Sequence, residues 1–131
     1  MYTVRVESDF AAAHFLSSYH GKCEQLHGHN YRVRLWAKGP GQDGFRQDNL
    51  RPDGMLVDFT ILKDALRGVC KTLDHVNLND NPVFDGNPSA ERIAKYIYDE
   101  VRKTLPPEDS ELISAVDVFE TPTSMARYEI P

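Results

Sequence analysis

Cysteine is scarce in this sequence, and the scarcity excludes a fold built on disulfide bridges. The 131 residues include two cysteines, Cys23 and Cys70, which cannot form a framework that replaces a hydrophobic core. Cys70 lies within a helical pattern, where a buried structural thiol is the expected role. Cys23 lies in no such pattern and remains a candidate for chemistry.

The sequence also has no excess of basic residues and no long apolar run. The formal net charge is −5, and no stretch concentrates Lys and Arg, which argues against a nucleic-acid-binding groove. No apolar run approaches the length of a membrane span, and residues 1–5 lack the apolar core of a signal peptide. We therefore expect a cytoplasmic protein with neither nucleic-acid nor membrane partners, folded as a single domain over residues 1–131.

Hydrophobic alternation predicts four strands. Apolar and polar residues alternate over residues 2–15 and again over 29–38, which indicates two strands that each bury one face. Two more strands are predicted near the end of the chain, at 112–121 and 124–130, joined by a tight turn at Pro122-Thr123. The turn-rich segment 39–54 is predicted to be a surface excursion.

Helical periodicity predicts two helices between these pairs of strands. The first follows Asp58 as N-cap and extends through Leu73. The second is predicted from Pro88 to about Leu105, with Asn87 as N-cap. The order strand, strand, helix, helix, strand, strand predicts an α+β domain in which two helices cover one face of a four-stranded antiparallel sheet. Its edge strands are expected to be open to neighbouring subunits.

Three histidines are predicted to lie on the apolar face of the sheet. His14 has the parity of the buried residues of the first strand, and His27 and His29 have the parity of Tyr31 and Val33 in the second. Histidines at positions i and i+2 of a strand can chelate one ion, and a third from the neighbouring strand leaves a fourth position open, as in catalytic zinc sites. A single histidine in such a place is more often a hydrogen-bonded core residue, but three that converge are harder to explain without a ligand.

Glu120 is also predicted to face inward, through its parity with Val116 and Val118. Burying the charge in isolation is costly, so an inward-facing Glu120 requires a partner or a ligand. Alternatively, Glu120 reaches solvent at the end of its strand or pairs with an arginine. The pattern alone favours neither alternative.

Two further groups lie near the predicted histidine site in the sequence. Cys23 precedes the His27-Gly28-His29 pair and can serve as a metal ligand, a nucleophile or a general base. Asp74 and His75 follow the first helix, where a carboxylate can orient an imidazole. The alternative for His75 is a favourable interaction with the dipole at the helix C-terminus.

Together these residues resemble the 6-pyruvoyltetrahydropterin synthase superfamily, over nearly the whole chain. The resemblance rests on ordered motifs: Ala13-His14-Phe15, Cys23-x-x-x-His27-Gly28-His29-Asn30-Tyr31, Val57-Asp58-Phe59, Leu73-Asp74-His75-x-x-Leu78-Asn79, Asn87-Pro88-Ser89-Ala90-Glu91 and Glu120-Thr121-Pro122. It implies the tunnelling fold, in which subunits form oligomeric barrels, typically a homohexamer made of two trimers.

The resemblance also implies a role for each candidate residue. The three histidines would hold a zinc cofactor. Cys23 would be the general base, with Asp74 and His75 as proton-transfer partners contributed by an adjoining subunit. Glu120 would bind the pterin ring, with Thr121 nearby, because a bidentate pair with the ring satisfies a carboxylate on an apolar face.

The short spacing between Cys23 and the histidine pair resembles one branch of the superfamily, the bacterial 6-carboxytetrahydropterin synthases of queuosine biosynthesis. The biopterin branch has a longer gap, and a third branch carries glutamate in place of the cysteine. The implied activity is that of a zinc-dependent lyase that converts 7,8-dihydroneopterin triphosphate to 6-carboxy-5,6,7,8-tetrahydropterin, releasing acetaldehyde and triphosphate. The alternatives are a 6-pyruvoyltetrahydropterin synthase, which stops after triphosphate elimination, and a non-catalytic zinc- or pterin-binding module.

Overall fold

One antiparallel sheet of four strands forms the centre of the molecule. The computed structural model describes residues 1–16, 25–40 and 50–131. The sheet has the order β1-β2-β3-β4, and its strands are β1 (Tyr2–His14), β2 (His27–Gly39), β3 (Ile113–Thr121) and β4 (Ser124–Glu129). The predicted α+β class and antiparallel sheet are confirmed. Strand β2 begins two residues earlier than the alternation predicted, which brings His27 into the strand.

The first helix, α1 (Phe59–Leu73), begins where the sequence predicts. The Asp58 carboxylate accepts a hydrogen bond of 2.8 Å from the Thr60 N–H, which satisfies one of the unpaired donors of the first turn. The apolar stripe of α1 is buried and packs against β1. It comprises Leu62, Ala65, Leu66, Val69, Cys70 and Leu73.

The second helix, α2 (Ala90–Thr104), begins later than predicted. Its N-cap is Ser89, whose Oγ accepts from the Arg92 N–H at 3.3 Å, so the prediction of Asn87 as N-cap and Pro88 as first residue was wrong. Ser89 has an extended backbone, as an N-cap requires. Pro88 therefore remains outside the helix, and its carbonyl is available to other partners. Helix α2 packs against β3 and β4.

Three short helical segments were missing from the predicted order. Leu78–Asp80 and Pro82–Phe84 form short 3-10 helices, and Pro107–Ser110 forms a one-turn helix, α3. In the first two, the side chain of Asn77 or Asn81 accepts a hydrogen bond from the N–H two residues later. Such local turns leave no apolar period in the sequence, so periodicity does not detect them.

The outer edge of β1 is partly covered near its C-terminal end, contrary to the open edge expected there. The His75 N–H donates to the Ala11 carbonyl at 2.6 Å, and the Ala13 N–H donates to the Val76 carbonyl at 3.0 Å. Ala13 also pairs in parallel with Asn77. The segment after α1 is therefore fixed beside the strand that carries His14.

Among the described helices, none is long and apolar enough to cross a membrane.

Candidate metal centre and active site

The register of β1 and β2 brings the three histidines together. His14 and His27 are direct partners across the two strands, and His29 pairs with Ala12. The Nε2 atoms of His14 and His27 lie 3.0 Å apart. The ring centroid of His29 lies 5.1 Å from that of His14 and 4.6 Å from that of His27. All three imidazoles therefore face one point at the end of the sheet.

Glu120 of β3 completes this group. Its Oε1 lies 2.9 Å from His14 Nε2 and 3.3 Å from His29 Nε2. One ligand atom from each of the four side chains lies within 4.8 Å of all the others. Of the two alternatives that the sequence left open, the inward-facing carboxylate is the one observed.

Backbone carbonyls set the tautomers of two of these histidines. His14 Nδ1 lies 3.0 Å from the Pro88 carbonyl oxygen, and His27 Nδ1 lies 2.6 Å from the Gln25 carbonyl oxygen. A carbonyl oxygen can only accept a hydrogen bond, so each Nδ1 carries the proton. Each Nε2 then directs a lone pair at the centre of the group, which is the arrangement that ligating histidines adopt.

The group fits a cation. Two nitrogen lone pairs and a carboxylate oxygen face one another at about hydrogen-bond distance, and their mutual repulsion is relieved only by a proton or a metal ion. Among the described side chains, the buried His29 Nε2 has no hydrogen-bond partner of good geometry, although Glu120 is close. Burial lowers the pKa of His29, and this outweighs the opposite effect of the Glu120 charge. A neutral imidazole with a free lone pair can act as a metal ligand.

The group is buried on one side and open on the other. His14 is 1% exposed, whereas the side chains of His29 and Glu120 are 21% and 25% exposed. An ion held by the three nitrogens would therefore keep a position accessible to a ligand from solvent. Catalytic zinc sites have this open position and structural sites do not.

Asp74 and His75 form a second site, fixed to the edge of β1. Asp74 Oδ1 accepts from the Ala11 N–H at 2.8 Å, and its Oδ2 lies 2.8 Å from His75 Nδ1. These two hydrogen bonds hold the pKa of Asp74 below its usual range, and the bond from Ala11 has the larger effect. His75 has a positive φ of 57°, an uncommon backbone conformation outside glycine. The pairing supports the orienting role for Asp74.

The Asp74-His75 pair is not part of the group formed by the three histidines and Glu120. The His75 side chain is 82% exposed, so its imidazole is available to a partner. Cys23, the predicted base, lies outside the described residues. The Thr121 hydroxyl accepts a hydrogen bond from the Thr123 N–H at 3.3 Å, within the turn between β3 and β4.

Sequence reasoning missed three groups that contact His14 or the residue after it. Tyr31 Oη lies 3.0 Å from His14 Nδ1, and its shared parity with His29 was a usable signal. Asn79 accepts from the Phe15 N–H at 2.8 Å and donates to the Phe15 carbonyl at 3.0 Å; the motif that ends in Asn79 was noted without this role. The contact with the Pro88 carbonyl could not be predicted, because the identity of a residue does not indicate the direction of its backbone oxygen.

Comparisons with known proteins agree with this architecture. Residues 3–131 match the family described as 6-pyruvoyl tetrahydropterin synthase. A 6-carboxy-5,6,7,8-tetrahydropterin synthase from Synechocystis is 35% identical, over 100% of this chain and 95% of that protein. A 6-pyruvoyl tetrahydrobiopterin synthase from Drosophila melanogaster is 38% identical, over 85% of this chain and 63% of that protein. The structure of Caenorhabditis elegans 6-pyruvoyl tetrahydropterin synthase superposes with a TM-score of 0.82 at 25% identity, covering 99% of this chain and 96% of that one.

Proposed function

The chain belongs to the 6-pyruvoyl tetrahydropterin synthase family, and we propose that it converts 7,8-dihydroneopterin triphosphate to 6-carboxy-5,6,7,8-tetrahydropterin, with release of acetaldehyde and triphosphate. The observation that carries the proposal is the convergence of three imidazoles and one carboxylate at the end of the sheet. The choice of product is supported by the short Cys-x-x-x-His-Gly-His spacing and by the full-length match to the Synechocystis enzyme.

Zinc is the metal that we propose for this centre, held by His14, His27 and His29. Three neutral nitrogens with an open fourth position are the ligand set of catalytic zinc. When bound, zinc supplies Lewis acidity that polarises the oxygens of the substrate side chain and acidifies the adjacent C–H. The histidines hold their Nε2 lone pairs toward this position before any ion binds, because the carbonyls of Pro88 and Gln25 fix two of the rings.

Glu120 is proposed to bind the pterin ring. Its carboxylate lies beside the metal position and is partly open to solvent, so it can accept hydrogen bonds from the amino and ring N–H groups of the pterin. A planar pair of donors matches a carboxylate, and such charge-assisted pairs are short and strong. The ring would then be oriented with its side chain toward the histidines. In this proposal Thr121, next in the chain, lies close to the bound pterin.

Proton transfer is proposed for Cys23 with Asp74 and His75. Cys23 would act as thiolate, which needs its pKa lowered from the free value of about 8.5 by a nearby cation. The Asp74 carboxylate accepts the Nδ1–H of His75 and leaves Nε2 free to take or return a proton. Since His75 is largely exposed at a strand edge, we propose that the pair serves the active site of a neighbouring subunit.

Assembly and setting complete the proposal. The superfamily resemblance supports a homohexamer of two trimers in which the sheets join into a barrel, the tunnelling fold. The short Cys-x-x-x-His-Gly-His spacing supports a role in queuosine biosynthesis, and we propose a cytoplasmic location.

The proposal is tested by product analysis. Zinc-loaded protein is incubated with 7,8-dihydroneopterin triphosphate, and the pterin, acetaldehyde and triphosphate are identified by mass. Metal-stripped protein and His27→Ala are the controls, and both should leave the substrate unchanged. A 6-pyruvoyl pterin without acetaldehyde would assign the activity of the Drosophila relative. Tight pterin binding without turnover would assign a binding module.

A further inference from the structure

His14 is held from behind by two oxygen atoms. On the side away from the metal position, its Nδ1 lies 3.0 Å from the Pro88 carbonyl oxygen and 3.0 Å from Tyr31 Oη. His14 and Tyr31 are 1% and 0% exposed, so water does not compete for this nitrogen. His27 is held by one carbonyl in an exposed contact. His14 is therefore the more firmly oriented of these two histidines.

We propose that Tyr31 is a positioning residue for the metal centre. With the Pro88 carbonyl, its hydroxyl accepts from the Nδ1–H of His14 and so holds the tautomer and the ring angle in which Nε2 points at the metal. Outer hydrogen bonds of this kind fix ring orientation and raise the basicity of the ligating nitrogen. The inference rests on the proposed metal site and is independent of the substrate.

Tyr31 is itself too constrained to turn away. Its ring stacks on Phe10 with centroids 4.7 Å apart and planes inclined by 13°. It also meets the rings of His14 and His29 edge to face, at 5.9 and 5.6 Å. The hydroxyl is carried at the end of a rigid ring, so its position follows from that of β2. Replacing tyrosine by phenylalanine removes the oxygen and leaves these ring contacts in place.

A matched pair of variants tests the role. Tyr31→Phe removes the hydroxyl at His14, whereas Tyr98→Phe removes a hydroxyl in α2 that is buried and has no hydrogen-bond partner among the described residues. Zinc affinity is measured by competition with a chromophoric chelator at fixed pH. We expect about tenfold weaker zinc binding in Tyr31→Phe, at the lower end of the 10–100-fold range for loss of an outer partner, because the Pro88 carbonyl remains. Tyr98→Phe should bind zinc with the affinity of the wild-type protein.

Two results would overturn the proposal. One is wild-type zinc affinity in a folded Tyr31→Phe. The other comes from long-range ¹H–¹⁵N NMR of the metal-free, unchanged protein, which should show the His14 proton on Nδ1. A His14 ring with a proton on Nε2 and none on Nδ1 would contradict the inference even if Tyr31→Phe failed to fold. Because neither readout involves turnover, an inactive protein with these properties would count against the proposed reaction and leave the role of Tyr31 supported.

Discussion

Glu120→Gln separates metal binding from pterin binding. The substitution keeps the shape of the side chain, removes its charge and replaces one acceptor oxygen by an NH₂ group. Glu120 approaches His14 and His29 to 2.9 and 3.3 Å, so it is close enough to be either a pterin anchor or a fourth metal ligand. If three imidazoles hold the ion, as we propose, the variant should retain about one zinc per chain.

The affinity for pterin should fall. A hydrogen bond to a charged group contributes about 1.5–3 kcal/mol, and glutamine loses one such bond outright and weakens the other. Since 1.4 kcal/mol corresponds to a tenfold change in the dissociation constant, we expect pterin to bind about 10–100-fold more weakly. The lower half of that range is favoured because the side chain is 25% exposed.

The assay is titration with an oxidised pterin that cannot turn over, together with metal analysis of the same samples. Glu129→Gln is the control, because it removes an exposed carboxylate of β4 that pairs with Arg127. It should change neither quantity. Loss of zinc from Glu120→Gln would make this carboxylate a metal ligand, and unchanged pterin affinity would refute the anchoring role.

Further predictions concern the proton-transfer groups, the second thiol and the assembly. Cys23→Ala should lower turnover about 10²–10⁴-fold, as expected for loss of the proposed general base, with zinc content unchanged; zinc loss would make the thiol a ligand. Asp74→Asn should retain zinc and lower turnover within the same range, because an amide NH₂ facing His75 favours the opposite tautomer; full turnover would contradict this. Burial raises the pKa of Cys70 to about 12, so iodoacetamide at pH 8 should label it only after unfolding, as peptide mapping can show. Sedimentation should give a hexamer, and a stable, active monomer would disprove the shared site.

The face that each histidine occupies was predictable from the sequence. Side chains alternate along a strand without exception unless a bulge intervenes, and β1 and β2 pair in one unbroken register. Parity therefore placed His14, His27 and His29 on one face. The same rule placed Glu120 on the inward face, but it left open whether the side chain would turn to solvent at the strand end. Only the packed structure decides that.

Contacts made by the backbone were not predictable. Pro88 was expected inside α2, and it lies outside because the Ser89 side chain caps the helix. That shift of two residues is what frees the Pro88 carbonyl to accept from His14. Likewise, no apolar period marks the short 3-10 helices, where asparagine side chains replace helix propagation with local hydrogen bonds. Hydrophobic periodicity predicts which face of a helix or strand is buried, but it does not predict the hydrogen bonds of an individual backbone carbonyl.

X-ray absorption of the zinc-loaded protein tests the proposed metal centre most directly. With His14, His27 and His29 as ligands, the spectrum should show nitrogen or oxygen neighbours at about 2.0–2.1 Å, with the outer-shell scattering of three imidazole rings. No sulfur should appear at about 2.3 Å, the zinc–thiolate distance. Three imidazoles without sulfur would support the centre proposed here. A zinc–sulfur bond, or fewer than three imidazoles, would contradict it.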